Sequence, residues 1–104
     1  IYKNNLAYVF VRNKIENGDT ENKLTIEQIL NSKYFGKNLH MEFIQYAANQ
    51  KIKVASGFDN YLAELLVGIY IREKFGREGM YKFMFKTDKY IQTAINNMPA
   101  GRVL

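Results

Sequence analysis

Hydrophobic positions are densest in residues 59–76, D-N-Y-L-A-E-L-L-V-G-I-Y-I-R-E-K-F-G. Asn60, Glu64, Gly68 and Arg72 recur there every four residues, and almost everything between them is apolar. On a helix this spacing draws one narrow polar stripe and leaves the rest of the circumference apolar, as in a helix covered on several sides. Asp59 or Asn60 offers a short side-chain oxygen to the first turn. Gly76 follows Arg72 and Lys74 and offers the left-handed stop that a basic last turn favours. Residues 59–75 are therefore predicted to form a buried central helix. Residues 65–71 also carry the β-branched content of a buried strand. Gly68 costs about 1 kcal/mol in a helix interior relative to alanine, and within a helix it predicts the close approach of another backbone.

The flanking segments are shorter. Residues 6–12, L-A-Y-V-F-V-R, suit a strand leading to the Asn17-Gly18 turn signal. They equally suit a helix that starts after Asn5 and stops at Gly18, with Leu6, Val9 and Phe10 on one side; the helix is preferred. Thr25-Ile26-Glu27-Gln28 is a capping box, in which hydroxyl and amide side chains satisfy two orphan N–H groups reciprocally. Ile26, Ile29, Leu30 and Tyr34 keep the helical period up to a stop at Gly36. Asn38 then caps a helix over 39–50 with Leu39, Phe43, Ile44, Ala47 and Ala48 on its apolar face. Residues 51–54, K-I-K-V, alternate and read as one short strand or an extended connector, taken as a β element over 51–55. Residues 80–86, M-Y-K-F-M-F-K, follow an Arg77-Glu78-Gly79 turn and alternate more clearly: Tyr81, Phe83 and Phe85 point to one side, Lys82 and Lys86 to the other. Thr87 or Asp88 opens a last helix with Ile91, Ala94, Ile95 and Met98 on one face, ended by Pro99. The expected fold is α+β and predominantly helical, a single domain over 1–104. About five helices surround the central one (59–75), with a small β element (51–55, 80–86).

Composition narrows the function classes. A hydrophobic share of 47% with 24% charged residues is that of a folded chain. With no cysteine, disulfides, thiolate zinc sites and thiol nucleophiles are excluded, and a reducing, cytoplasmic setting is favoured. No stretch approaches the roughly 20 apolar residues of a membrane span, and no secretory or lipidation signal is recognisable. The net charge of +5 is uneven: residues 1–30 sum to zero, 31–58 to +3, 59–71 to −2 and 72–104 to +4. A basic middle and C-terminal third can attract a polyanion.

Catalytic signatures are absent. His40 is the sole histidine. His40-Met41-Glu42 matches the H-x-E fragment of zinc deaminases, but that chemistry needs a cysteine pair. As a lone histidine in a first helical turn, His40 reads as a surface or capping residue. Gly76-Arg77-Glu78-Gly79 lacks the lysine and hydroxyl of a phosphate loop, and no cofactor or metal is implied.

Two patterns point to nucleic acid. The helix from Ile26, the turn Gly36-Lys37-Asn38 and the helix from Leu39 have helix–turn–helix order and length. Asn31, Ser32, Glu42 and Gln45 nevertheless fall where that motif wants small or apolar residues, and two consecutive amphipathic helices explain the stretch without DNA. In the motif, Lys37, Asn38, His40, Met41, Glu42 and Gln45 would lie toward the major groove. The second pattern is Lys82 and Lys86 on the strand face opposite the aromatics, joined by Arg72, Lys74, Arg77 and Lys89 and diluted by Glu73, Glu78 and Asp88. The expected function is a small, basic, non-enzymatic nucleic-acid-binding protein, with contacts from Lys37, Asn38, Lys51, Lys53, Arg72, Lys74, Arg77, Lys82, Lys86 and Lys89. The alternative is a subunit that binds another protein or a second copy of itself. Its motive is the supply of eight tyrosines, seven phenylalanines and four methionines, residue types enriched at interfaces.

Overall fold

A computed structural model describes residues 2–17, 24–32, 34–53, 57, 59–87 and 89–96, with residues 2–5, 90, 94 and 96 as backbone only. Five helices follow one another: α1 (Tyr2–Glu16), α2 (Ile26–Asn31), α3 (Phe35–Asn49), α4 (Asn60–Met84) and α5 (Lys89–Asn96). Among the described residues there is no strand, so the expected β element is overturned and the class is all-helical. The expected stop at Gly18, residues 54–55 of the short strand, the Asp88 cap and the Pro99 boundary lie outside the described residues.

Helix α4 is the element the others cover; α1, α3 and α5 pack mainly on it, and α2 touches it more lightly. It starts where expected, with Asp59 Oδ1 accepting from the Leu62 N–H at 3.2 Å. Leu65, Leu66, Ile69, Tyr70 and Ile71 are fully buried. At Gly76 the backbone takes φ 74° and ψ −151°, a conformation essentially restricted to glycine. This breaks α4 into two arms, 60–75 and 77–84. A Cβ built on Gly68 would fall 2.7 Å from the Phe83 ring and 2.1 Å from Ile95 Cδ1. In a straight helix residues 68 and 83 would be about 22 Å apart, so the second arm folds back along the first. Gly79 serves the same closure, since a Cβ there would meet Phe75 and Ile71. The expectation that Gly68 admits another backbone is thus corrected: it admits two side chains, Phe83 from the second arm and Ile95 from α5.

This hairpin explains why residues 80–86 are not a strand. Met80 and Phe83 are buried, whereas Tyr81 is 58% and Phe85 92% exposed. Tyr81, Phe83 and Phe85 do not share a face, because the chain follows a period of 3.6 residues rather than two.

The short strand at 51–55 is corrected for a different reason. Lys51 has φ 61°. Its N–H donates to Ala48 O and that of Ile52 to Ala47 O, both at 2.9 Å. That pair of bonds closes the end of α3 as a Schellman motif, formed here without the usual glycine. The N–H groups a strand would need are already committed.

The remaining helices follow from local chemistry. In α1, Ala7, Phe10 and Val11 are buried and Val9 is exposed, a one-residue rotation from the expected face. Phe10 meets the Phe43 ring edge-on, with centroids 5.6 Å apart. The Thr25 capping box is present: the Gln28 N–H donates to Thr25 Oγ1 at 3.1 Å and the Thr25 N–H to Gln28 Oε1 at 2.9 Å. Helix α2 ends at Asn31 rather than Gly36. Ser32 Oγ accepts from the N–H groups of Tyr34 and Phe35 and starts α3 there. Gly36 consequently lies in the first turn of α3, where a Cβ would sit 3.4 Å from Val67.

Candidate functional site

The second arm of α4 sorts its residues into three rows. Gly79, Met80 and Phe83 face the first arm. Arg77, Tyr81 and Phe85, spaced four apart, form an outward row of one cation and two aromatic rings. Phe85 caps the arm with helical backbone angles, so the row keeps its register to the end. Beside it lies the row Glu78, Lys82 and Lys86. Lys82 Nζ donates to Glu27 Oε2 at 2.6 Å, and Lys86 Nζ to Asn31 Oδ1 at 3.0 Å. Lys82 in the last turn of α4 and Lys86 just beyond it, four apart, thereby clasp two residues four apart on α2. The hydrogen bond with Lys82 holds the Glu27 carboxyl below its ordinary range, and the same bond raises the Lys82 ammonium above its own.

The ten sequence-predicted contact residues do not form one patch. Lys37 and Asn38 are exposed on the first turn of α3, and Lys51 and Lys53 are exposed beyond its other end. Arg72 is largely covered: its guanidinium donates to Ile95 O at 2.5 Å and to Glu73 Oε2 at 3.3 Å. Glu73, with a side chain only 7% exposed, also lies 3.7 Å from Arg12. These contacts tie α1, α4 and α5 together, which makes Arg72 a strut. Lys74 lies over the Tyr70 and Phe75 rings, 5.6 Å from each centroid. Arg77, Lys86 and Lys89 are exposed, and Lys82 is partly so. Of the ten, the structure groups Arg77, Lys82 and Lys86 beside the Tyr81–Phe85 pair.

Helix–turn–helix geometry is displaced. Helix α2 ends at Asn31 and α3 begins at Phe35, so Gly36 packs on α4 instead of turning the chain. Met41 and Gln45 do face outward, but Glu42 is bound to Lys14 of α1 at 2.6 Å. His40 is buried, 3% exposed, and its Nε2 accepts the Asp59 N–H at 3.1 Å. The ring therefore holds the backbone of the residue that caps α4, a role the sequence did not suggest. Sequence reasoning also missed Tyr81 and Phe85 as surface groups; their spacing of four from Arg77 was the available signal.

Among the described residues, no three His, Asp or Glu side chains are placed to hold a metal ion together, and no helix is long and apolar enough to cross a membrane. In comparisons with known proteins, no family model matches this chain, and neither a curated protein nor a solved structure matches it significantly.

Proposed function

We propose that this chain is a non-catalytic nucleic-acid-binding protein that engages single strands through the Arg77–Tyr81–Phe85 row. The observation that carries the reading is the pair of exposed rings, Tyr81 at 58% and Phe85 at 92%, one helical turn apart, with Arg77 in the same row and Lys86 in the next. Rings so placed stack on unpaired bases while neighbouring cations meet the phosphates, at about 1–3 kcal/mol per stacked base. The net charge of +5 favours the same partner. Duplex recognition has less behind it, because the α2–α3 connection is not at Gly36 and His40 faces inward.

The test is binding of labelled single-stranded DNA, RNA and duplex DNA at low and moderate salt. Single strands should bind better than duplex, with affinity falling steeply as salt rises. Tyr81→Ala with Phe85→Ala should reduce that affinity without unfolding the chain. Equal affinity for duplex, or no effect of the double variant, would defeat the reading. A second reading, a protein partner, draws on the same 92% exposed Phe85, since aromatic and arginine side chains anchor protein interfaces. It takes precedence if no nucleic acid binds at low salt.

A further inference from the structure

The outward row of α4 does not end on open surface. Lys86 and Thr87, which follow Phe85, line a cleft of about 330 Å³, and Ser32, Gly36 and Lys37 line it from the side of α2 and α3. Tyr34 stands between Ser32 and Gly36 and is 66% exposed. Its backbone is held: the N–H donates to Ser32 Oγ at 3.3 Å, and the carbonyl accepts the Asn38 N–H at 2.8 Å. Its phenol ring has no hydrogen-bond or ring partner among the described residues, and Lys37, three positions on, makes no hydrogen bond or ion pair there. Residues 31–41 carry two lysines and no acidic residue. An exposed ring and an open cation thus stand on the α3 side of the cleft, as they do in the Arg77–Tyr81–Phe85 row that leads to its α4 side. The Lys86 ammonium is turned to Asn31, and Glu64 lines the cleft from the first arm. A phosphate is therefore better served at Lys37 than inside the cleft.

We propose that Tyr34 and Lys37 extend the strand-binding surface across this cleft. A single strand seated on Tyr81 and Phe85 continues past Thr87, stacks a further base on Tyr34 and sets a phosphate at Lys37. This inference rests on the reading of the Arg77–Tyr81–Phe85 row as a single-strand site. It adds to that reading a second platform on another helix, and with it a dependence on strand length. Successive bases stack on separate aromatic side chains in this way when cations track the backbone between them.

The probes are oligothymidylates of about four and about twelve nucleotides, within the site sizes of single-strand modules, titrated at low and moderate salt. Tyr34→Ala should weaken the longer strand by about fivefold or more. It should leave the shorter one, held by Tyr81 and Phe85 alone, within about twofold. Lys37→Gln should lower the salt slope for the longer strand by about 0.7, the loss of one phosphate contact. Both side chains are exposed, and an unchanged affinity for the short strand reports an intact fold. Equal losses for the two lengths, no loss for the longer one, or an unchanged slope would overturn the proposal. If Tyr81→Ala with Phe85→Ala abolishes binding while Tyr34→Ala does nothing, the extension falls and the row stands. If neither strand binds at low salt, the row falls and the extension with it.

Discussion

The two arms of α4 both carry aromatic side chains and cover them to different extents. The first arm, 60–75, is covered by α1, α3, α5 and the second arm, and Leu65, Leu66, Ile69, Tyr70 and Ile71 are all inaccessible. The second arm, 77–84, buries one stripe and leaves Tyr81 and the following Phe85 in solvent. An apolar or aromatic residue is therefore not core by type. It becomes core where a neighbouring element leaves room for it, as Gly68 does for Phe83. Where no element arrives, the same residue types make a contact surface.

The sharpest way to break the comparison is to remove what joins the arms. Phe83→Ala should cost about 3–5 kcal/mol, because the ring is 1% exposed and seated against Gly68. Denaturant unfolding measures this, and a loss below about 1 kcal/mol would mean that the arms do not rest on each other. Gly76→Ala should cost less, about 1–3 kcal/mol, since φ 74° with ψ −151° is strained for any side chain although the space around it is open. A gain in stability there would show a continuous helix through residue 76. Tyr81→Ala and Phe85→Ala should each change stability by no more than about 0.5 kcal/mol, while binding of a single strand weakens. A large loss of stability from either would move these rings from the surface to the core.

The smallest effect belongs to the clasp between α2 and α4. Glu27 titrates below its ordinary value, so its contribution is present above the usual carboxylate range and fades as pH falls through the lowered value. Lys82 titrates above its ordinary value, so its contribution is full below the usual lysine range and fades as pH rises through the raised value. Both groups are solvent-exposed, so the clasp should weaken with salt as well. Protection of the Ile29 and Leu30 amides, taken relative to the intrinsic exchange rate at each pH, should fall at acid pH and in Glu27→Gln, with little change in global stability. Unaltered protection would mean that burial of Ile29 alone seats α2.

Local signals were legible at some helix ends and misleading at others: the expected stop at Gly36 and the expected cap at Asn38 both fall inside α3, which begins at Phe35, whereas three others held. Thr25 with Gln28, Asp59 as a cap and Gly76 as a break each act within a turn or two of the chain, and each is found where the spacing placed it. Residues 80–86 misled because a short apolar run satisfies the two-residue and the 3.6-residue period almost equally well. The choice was made by a notch at Gly68, fifteen positions upstream and invisible to any local window. Lys51 misled because nothing about lysine announces a left-handed cap. Of the candidate site, the basic residues were evident, but their pairing was not. Lys82 and Lys86 meet α2 partners 55 positions away.

By itself the sequence determined that this chain is basic and predominantly helical, with its most buried helix opening at Asp59, because propensity, capping and charge act over short distances. Only the tertiary structure decided which aromatics are core and which are surface, which lysines are occupied and which are open, and that His40 holds the start of α4. Those outcomes depend on which distant residue occupies the neighbouring space, and burial and pairing are properties of that neighbour as much as of the residue itself.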